Sequence, residues 1–316
     1  MHEGGPGFQH VQFSPRRLGL CRLALALMAA LLLPNHTTPA QQATGGGGPP
    51  RLMVRIPGGA AWLGSDDAEK GFGYAMGGPA AWRGRWFQGE TRRRVNLPPF
   101  WMDETLVTQA QYAEFVQATG RAAPFITPAQ YREQGFLVHP YASVRPYLWD
   151  GGRPPPDKAQ HPVVLVSQQD AAAYCAWRGP LGATPADNAG ASQRGQKENI
   201  RCGLPDEDQW ELAARGTDGR YFPWGSTWRP ALLNSAEAGP FGTTPVRQYP
   251  AGRSPFGLYD MAGNVFQWTS AQSPDGRAIL KGCSWDDAAG ICRGAARHAR
   301  PAPSRHILIG FRCTCQ

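Results

Sequence analysis

The stretch LPDEDQWELAARG, residues 204–216, is the strongest structural signal in the chain. Asp206 precedes Gln209 by three residues, a spacing that allows the reciprocal hydrogen bonds of a capped helix start. The apolar residues behind this pair are Trp210, Ala213 and Ala214. Their spacing of three and four gives a helix one buried stripe. The pattern therefore predicts a short helix over residues 207–215.

Two other segments carry the same capping chemistry in front of an apolar pattern. Thr108 precedes Gln111, and Ser167 precedes Asp170, each by three residues. Side-chain oxygens at such positions accept hydrogen bonds from first-turn N–H groups that have no partner inside a helix. The helices are expected over residues 109–118 and 168–177.

Short apolar or alternating segments between glycines and prolines predict strands. The candidates are Met53–Ile56, Arg94–Leu97, Val163–Val166, Ile279–Cys283 and Gly310–Thr314. Phe125–Lys158 has many aromatic residues but little periodicity, which predicts an irregular, packed region, and Arg178–Asn199 has the composition of a surface loop. Short helices, short strands and abundant loop make the predicted class α+β.

The N-terminal residues indicate export. Basic residues precede the apolar run Leu23–Leu33, which is shorter than the roughly 20 residues of a membrane-spanning helix. This order, ending in small residues at Ala40, is typical of a signal peptide; a buried N-terminal helix is the alternative. We expect a signal at 1–40, a Gly/Pro-rich linker at 41–50 and one domain at 51–316, in a periplasmic or secreted protein. No later stretch predicts a membrane span.

The formal charge of +8 does not indicate a nucleic-acid partner. Arg92–Arg94 is the only basic run, and it adjoins the alternating segment Val95–Leu97. A solvated strand end explains it better than a nucleic-acid surface. No nucleic-acid partner is therefore expected.

The cysteines favour disulfide bonds. Cys21 lies in the expected signal, and the others are Cys175, Cys202, Cys283, Cys292, Cys313 and Cys315. An even number in an exported chain favours disulfides, but many complete pairings are possible and spacing does not choose among them. No cysteine or histidine group has zinc spacing.

Several segments follow one another in an order that is specific, although each is weak alone. They are Met53–Gly59, Phe100–Val116, His161–Trp177, Leu204–Gly216, Phe222–Gly225, Gly257–Trp268 and Gly310–Cys313. Together they resemble the formylglycine-generating enzyme (sulfatase-modifying factor) family across nearly all of residues 53–315. The resemblance implies a C-type-lectin-like fold with small twisted sheets, few short helices and long ordered loops.

The resemblance also implies a chemistry and a disulfide. Family enzymes bind copper(I) with a C-x4-C pair that follows a Gly-Gly-Ser motif, and they use oxygen to convert a substrate cysteine to formylglycine. Paired thiolates are soft ligands that select copper(I). The family further implies a disulfide between Cys175 and Cys313, which would leave Cys315 for another partner or free.

The catalytic pair is incomplete in this chain. The corresponding stretch is KGCSWDDAAGICR, residues 281–293. Counted forward from Ser284, Asp287 stands where the first cysteine belongs and Cys292 where the second belongs. Counted back from Ala295–Arg297, Cys292 loses its match as well, so the pair is broken in either alignment.

This stretch leaves alternatives open. Cys283, Ser284 and Cys292 are the candidate catalytic residues, and the alternative for the two cysteines is a structural disulfide or two buried thiols. Asp286 and Asp287 are acid–base groups or turn and cap residues. Two histidines, His298 and His306, follow this stretch. They are either metal ligands or ordinary hydrogen-bonding groups.

Calcium is the other metal that the resemblance implies. Asn264, the Val265 carbonyl and Gln267 match one family site, but Gln267 replaces a glutamate and the lost charge weakens calcium binding. The positions of a second site are Asn234, Ser235 and Ala238, where Ala238 replaces the expected aspartate. Calcium is therefore expected to bind weakly, and copper or iron is left open.

Two functions are compatible with these residues. The first is an exported maturation factor of oxidoreductase type that acts on a protein or peptide-derived substrate, and Cys283, Ser284 and Cys292 favour it. The second is a non-catalytic binding or scaffolding module on a C-type-lectin-like fold, and the incomplete cysteine pair favours it.

Overall fold

The computed structural model describes residues 53–135, 138–179 and 200–316. The helices in these ranges are α1 (Asp67–Gly84), α2 (Gln109–Thr119), α3 (Pro128–Glu133), α4 (Gln168–Arg178) and α5 (Glu207–Arg215). The three predicted helices, α2, α4 and α5, are confirmed. Each begins with the predicted capping box, at Thr108, Ser167 or Asp206.

Short strands in the described residues form three sheets. The strands are β1 (Met53–Ile56), β2 (Gly59–Leu63), β3 (Arg93–Leu97), β4 (Phe100–Asp103), β5 (Cys202–Gly203), β6 (Phe266–Gln272), β7 (Ala278–Lys281), β8 (Arg297–Arg300), β9 (Ile309–Gly310) and β10 (Thr314–Cys315). The sheet orders are β1-β4-β10-β5, β2-β3 and β8-β7-β6-β9. Separate small sheets, short helices and long loops confirm the α+β class.

The prediction of a strand at Val163–Val166 was wrong. All four residues are buried, but Leu165 has a φ of +61°, a left-handed conformation that a strand does not contain. The N–H of Val163 donates to the carbonyl of Val107, and that of Leu165 donates to the carbonyl of His306. An apolar run indicates burial without distinguishing a strand from a buried loop.

The predicted strand at Gly310–Thr314 is divided in two. β9 pairs in parallel with β6, whereas β10 pairs with β4 and β5 in another sheet. Between them, the carbonyls of Phe311 and Cys313 accept from Val107 and Asp103. The C-terminal segment therefore crosses from one sheet to the other.

α1 is the largest element that the sequence did not predict. It is rich in glycine and alanine, contains Pro79, and is interrupted at Gly78, where φ is +68° and ψ is −167°. No continuous apolar stripe marks it. α3 lies inside Phe125–Lys158, where we expected irregular structure, and its capping box joins Thr127 and Gln130. The strands that the sequence did not predict are β2, β4, β5, β6 and β8.

Several expectations concern residues outside the described ranges. They are the signal at 1–40, the linker at 41–50 and the loop from residue 180 to residue 199. These expectations and the domain bounds at 51–316 stay predictions. Among the described residues, no helix has the length and apolar character needed to cross a bilayer.

Three disulfides join all six cysteines of the described residues. Cys175–Cys313 is the pairing that the resemblance implied, and it closes a sequence separation of 138 residues. In the chain-entropy model a loop of this length stabilises a fold by roughly 4–5 kcal/mol. The other pairs are Cys202–Cys315 and Cys283–Cys292. Cys315 therefore takes another partner, which is one of the two outcomes expected, because β10 places it opposite Cys202 on β5.

An aromatic cluster surrounds the Cys175–Cys313 bond. Tyr112 on α2 stacks on Tyr174 of α4 with ring centres 5.6 Å apart, and Phe311 meets the ring of Tyr174 at 5.4 Å. The three side chains are almost completely buried. The disulfide and the ring contacts thus tie α2, α4 and the C-terminal segment together.

Six ionic side chains form a buried network in the other half of the core. They are Glu69, Glu90, Glu211, Arg215, Lys281 and Arg293, each no more than 4% exposed. Three positive and three negative groups balance one another. The network joins α1, α5, β7 and the residue that follows Cys292.

Arg215 and Arg293 are its two centres. Arg215 donates to Glu69 at 2.7 Å and to Glu211 at 2.8 Å. Arg293 donates to both carboxylate oxygens of Glu90, at 2.9 and 3.1 Å. This bidentate geometry is the strong form of a guanidinium–carboxylate pair.

The carboxylates respond differently to burial. Burial raises the pKa of Glu69 to about 7, against the opposing charges of Arg215 and Arg293. Burial alone would also raise the pKa of Glu211, but Lys281 and Arg215 outweigh it and hold that pKa below its ordinary value. The network therefore stabilises ionised Glu211 more effectively than ionised Glu69.

Removing one partner of this network should be costly. We expect Arg293→Met to lower the free energy of unfolding by about 3–5 kcal/mol, because Glu90 is left as an uncompensated buried charge. The double variant Arg293→Met/Glu90→Gln should recover part of the loss. Urea denaturation measures both variants.

The matched control is the surface pair Arg220–Asp218, at 2.7 Å with side chains 29% and 56% exposed. Arg220→Met should cost no more than about 1 kcal/mol. A loss at Arg293 as small as that at Arg220 would contradict the role given to the network.

Candidate functional site

A cavity of about 600 Å³ lies beside the segment that the sequence marked as catalytic. Its walls come from the sheet that contains β6, β7 and β8, from the residues at the end of α1, and from the segment after Cys283. The residues that matter for its chemistry are Trp86, Arg277, Asp286, Asp287, His298 and Arg300.

The sheet register places two of these side chains on one face. In the β7–β8 pair, His298 lies opposite Leu280 and Arg300 opposite Ala278. Successive side chains of a strand alternate between its faces, so His298 and Arg300 point to the same side. Both therefore line the cavity from β8.

The predicted catalytic cysteines are joined and buried. The sulfurs of Cys283 and Cys292 are 2.03 Å apart, and both residues have no exposed surface. The Cys283 sulfur accepts a hydrogen bond from the N–H of Gly263 at 3.0 Å. Of the alternatives for Cys283 and Cys292, the structure therefore contains the disulfide.

Ser284 and Asp287 form a capped turn. Both the N–H and the hydroxyl of Ser284 donate to Asp287 Oδ2, at 2.8 and 2.5 Å. Burial raises the pKa of Asp287 to about 6, although these hydrogen bonds oppose the shift. Ser284 is fully buried, whereas Asp287 lines the cavity. Cys283, Ser284 and Cys292 lie in one segment of the chain, and none of them lines the cavity.

Asp286 lies next to a histidine. Its carboxylate is 3.1 Å from Nε2 of His139, whose ring lies 4.8 Å from that of Trp285. Asp287 is therefore a turn residue, and Asp286 lies beside a histidine ring.

The two candidate histidines lie in different environments. His298 packs between Trp86 and Phe266, with ring centres at 6.2 and 4.8 Å. His306 accepts from the N–H of Leu308 through Nδ1, so its Nε2 carries the hydrogen that faces Tyr131 at 3.2 Å. The described residues contain no group of three or more His, Cys, Asp or Glu side chains arranged for a metal.

His298 is neutral at physiological pH. Burial lowers its pKa to about 4, and the charges of Arg300 and Lys281 act in the same direction. Burial also lowers the pKa of Arg300, with Arg277 adding to the effect and Asp287 opposing it. Burial is the largest cause of both shifts, and neighbouring positive charges add to it.

The cysteine pair does not fit copper(I). Copper(I) selects thiolates, and the sulfurs of Cys283 and Cys292 are bonded to each other. Asp287, at the position of the first family cysteine, offers a hard carboxylate oxygen instead. No copper chemistry is therefore derived from these residues.

Gln267 does not fit a calcium ligand either. Its amide oxygen accepts from Trp210 at 2.8 Å and from Arg312 at 2.7 Å, and its Nε2 donates to the Asp260 carbonyl. The only side-chain oxygen is thus occupied and lies against a cation. Asn264 is also engaged, since its amide bonds to the N–H and carbonyl of Thr244.

Oxygens without a hydrogen-bond partner in the described structure lie nearby. They are Asn234 Oδ1, Ser235 Oγ and Asp260 Oδ2, all buried. Asn234 and Asp260 each lie 3.5 Å from the amide of Asn264. Hard oxygens suit calcium, but a single carboxylate gives a weak site. The buried oxygens left without a partner are thus on the Asn234 side, whereas the oxygen of Gln267 is already engaged.

Sequence reasoning missed part of the cavity. Trp86 follows the unpredicted helix α1, and Arg277 precedes β7 in a turn. His298 was a candidate, but only as a metal ligand. The available signal was the period-two spacing of His298 and Arg300. It is informative only if β8 is already known to be a strand.

His298 should make the free energy of unfolding depend on pH. Its pKa is about 4 in the folded chain and near 6.5 in the unfolded chain. Between these values only the unfolded chain binds the proton, so stability present above pH 6.5 is lost as the pH falls towards 4. In this window His298 should cost the wild-type protein up to about 1.4 kcal/mol of unfolding free energy per pH unit. The variant His298→Gln should not show this contribution.

Urea denaturation at several pH values measures the effect. Values at pH 8 give the packing cost of the substitution alone, because His298 is neutral in both states there. Parallel stability curves for the two proteins between pH 6.5 and pH 4 would contradict the assignment.

Comparisons with known proteins bear on this geometry. A profile described as "Sulfatase-modifying factor enzyme 1-like domain" matches residues 39–316. The formylglycine-generating enzyme of Streptomyces coelicolor is 32% identical over 321 residues, which cover 83% of this chain and 88% of that protein. The inactive C-alpha-formylglycine-generating enzyme 2 of Mus musculus is 31% identical over 301 residues, covering 83% and 84%.

Solved structures agree on the fold. PvdO from Pseudomonas aeruginosa has a TM-score of 0.58 at 22% identity, covering 84% of this chain and 94% of that one. Treponema denticola variable protein 1 has a TM-score of 0.53 at 19% identity, covering 83% and 94%. The expected C-type-lectin-like fold of the formylglycine-generating enzyme type is confirmed. With the profile match over most of its length, the chain belongs to the sulfatase-modifying factor family, which includes both active and inactive relatives.

Proposed function

We propose that this chain is a non-oxidising binding protein of its family, which acts outside the cytoplasm on a protein or peptide-derived partner. The observation that carries the proposal is the buried Cys283–Cys292 disulfide. It occupies the segment in which the family's oxidation needs two thiolates.

The chemistry of the segment supports this choice. All six described cysteines are in disulfides, so none of them offers a thiolate for copper(I). Asp287 faces the cavity at the position of a cysteine but is bonded to Ser284. The segment therefore serves to shape a wall of the cavity.

The cavity itself supports a binding role. A volume of about 600 Å³ is within the range of small-molecule and side-chain sites. Its lining combines Trp86, apolar residues such as Leu280 and Ile309, and both arginines and aspartates. The inactive mouse relative supports the idea that this scaffold is useful without oxidation.

Export is part of the proposal. The expected signal at 1–40 would direct the chain to the periplasm or outside the cell, with the mature protein beginning near Gln41. Three disulfides suit an oxidising compartment.

The second candidate is a maturation factor of oxidoreductase type, with Cys283, Ser284 and Cys292 as its reactive residues. One observation favours it: the segment that contains them also supplies Asp286 and Asp287 to the cavity wall. Reduction would release two thiols whose Cα atoms lie 4.8 Å apart, close enough to bind one soft metal.

Metal analysis separates the two candidates. We expect the purified mature protein to contain substoichiometric copper and iron and to consume no oxygen with a thiol reductant. Thermal unfolding tests calcium. If calcium binds on the Asn234 side, EDTA should lower the melting temperature slightly. The double variant Cys283→Ser/Cys292→Ser is the matched control for copper and iron.

The opposite result has a clear form. One equivalent of copper or iron in the wild-type protein that is lost in the double variant, together with thiol-dependent oxygen uptake, would overturn the proposal in favour of the oxidoreductase.

A further inference from the structure

A second cavity, of about 560 Å³, lies next to the first. Three chain segments contribute to both cavities, because one residue of each segment lines the second cavity and its neighbour in sequence lines the first. These neighbouring pairs are Val138–His139, Trp285–Asp286 and Ile307–Leu308. Consecutive Cα atoms are only about 3.8 Å apart. The two cavities therefore lie side by side.

The second cavity has a buried floor and an exposed rim. Its floor consists of Tyr147, Trp285 and Ile307, each no more than 5% exposed. Its rim consists of the exposed residues Pro146, Pro240 and Phe241. An apolar group that enters between these residues would lose much of its contact with water, which favours its binding.

Phe241 is held at the rim in a backbone conformation that bulky residues rarely adopt. Its φ is +55°, in the left-handed region, and the residue is 68% exposed. The chain beside it is fixed, because the Gly242 carbonyl accepts from Asn234 at 2.8 Å and the N–H of Thr243 donates to the Tyr147 hydroxyl at 3.1 Å. A strained conformation that its surroundings maintain is a feature of ligand sites. The exposed ring adds little to the core, so a contact with a ligand explains it better.

The floor contains a hydrogen-bond donor without an acceptor. The indole N–H of Trp285 is buried and has no hydrogen-bond partner in the described structure. A buried donor in this state costs free energy, which an acceptor oxygen in the cavity would recover. The cavity therefore favours a ligand that combines an apolar group with an acceptor oxygen.

Lys158 supplies a second donor to the same cavity. Its ammonium lies 5.2 Å from the centre of the Tyr147 ring and 3.5 Å from Asp157, whose side chain is 73% exposed. An exposed pair of this kind contributes little. Asp157 is outside the cavity, and the described lining contains no carboxylate. Both donors thus complement an oxygen of the ligand.

We infer that the second cavity binds an apolar side chain of a peptide together with an oxygen of the same peptide, which accepts from the indole of Trp285. The oxygen is a backbone carbonyl or a C-terminal carboxylate. A peptide is the occupant because the cavities lie side by side, so a peptide-derived partner of the first cavity can continue into the second. This choice of occupant rests on the proposed function.

Ligand-observed NMR titrations of the full mature protein test the inference with N-acetyl-leucine amide, N-acetyl-leucine and N-acetylglycine amide. We expect both leucine compounds to bind at least about tenfold more tightly than the glycine compound, as burial of a leucine side chain allows. Tighter binding of N-acetyl-leucine than of its amide, lost in Lys158→Met, identifies the carboxylate as the oxygen. Equal binding of the two identifies the carbonyl.

Variants assign the contacts. Trp285→Phe keeps an aromatic ring and removes the N–H, so it should weaken both leucine compounds by about three- to tenfold. Phe241→Gly should weaken them by at least about threefold without lowering the melting temperature, because glycine adopts the left-handed conformation readily. If Trp285→Phe does not fold, Phe241→Gly at the exposed rim decides the result.

The matched control is Phe125→Gly. Phe125 is 49% exposed, lies outside the lining and has no positive φ. The variant should bind the leucine compounds like the wild type, and it should lower the melting temperature because glycine adds freedom to the unfolded chain.

Equal affinity for the leucine and glycine amides, no binding of the leucine compounds, or unchanged binding in Phe241→Gly or Trp285→Phe would overturn the inference. These results are separable from the proposed function. A protein that binds no probe and shows no metal-dependent oxygen uptake keeps the proposed function and loses this site. A protein that binds the leucine compounds but shows copper-dependent oxygen uptake keeps the site and loses the non-oxidising role.

Discussion

The buried ionic network is the constraint on which the site depends. Lys281 lies two residues before Cys283, and Arg293 follows Cys292 directly, so the network anchors both ends of the segment that the disulfide closes. Glu69 connects it to α1, which leads to Trp86. A buried charge with a missing partner is far more costly than an exposed one. The walls of the cavity are therefore fixed relative to one another by charge balance.

The same segment keeps a defined shape without the family's cysteine pair. The disulfide between Cys283 and Cys292 and the capped turn at Asp287 give the segment a defined shape without any thiol. The cavity is lined by several arginines, two aspartates, Trp86 and the neutral His298. Among the described residues that line it, neither sulfur of the Cys283–Cys292 disulfide appears.

The sequence predicted those features that local chemistry decides. Three helices followed from capping residues and apolar spacing, and the Cys175–Cys313 bond followed from the family resemblance. α1 was not predicted, because Gly78 and Pro79 break its pattern and the ion pairs of Glu69 that hold it are long-range. Val163–Val166 was mistaken for a strand because burial alone makes a run apolar. The cavity combines Trp86 with residues about 200 positions later in the chain, a proximity that only the folded topology creates.

The central claim is that the segment of the missing catalytic pair is closed by a disulfide and carries no thiol. Alkylation of the mature protein under denaturing conditions without reduction, followed by peptide mapping, tests it most directly. We predict no alkylated cysteine and a peptide that joins Cys283 to Cys292. Alkylation of both Cys283 and Cys292 as free thiols in the protein from its native compartment would contradict the claim.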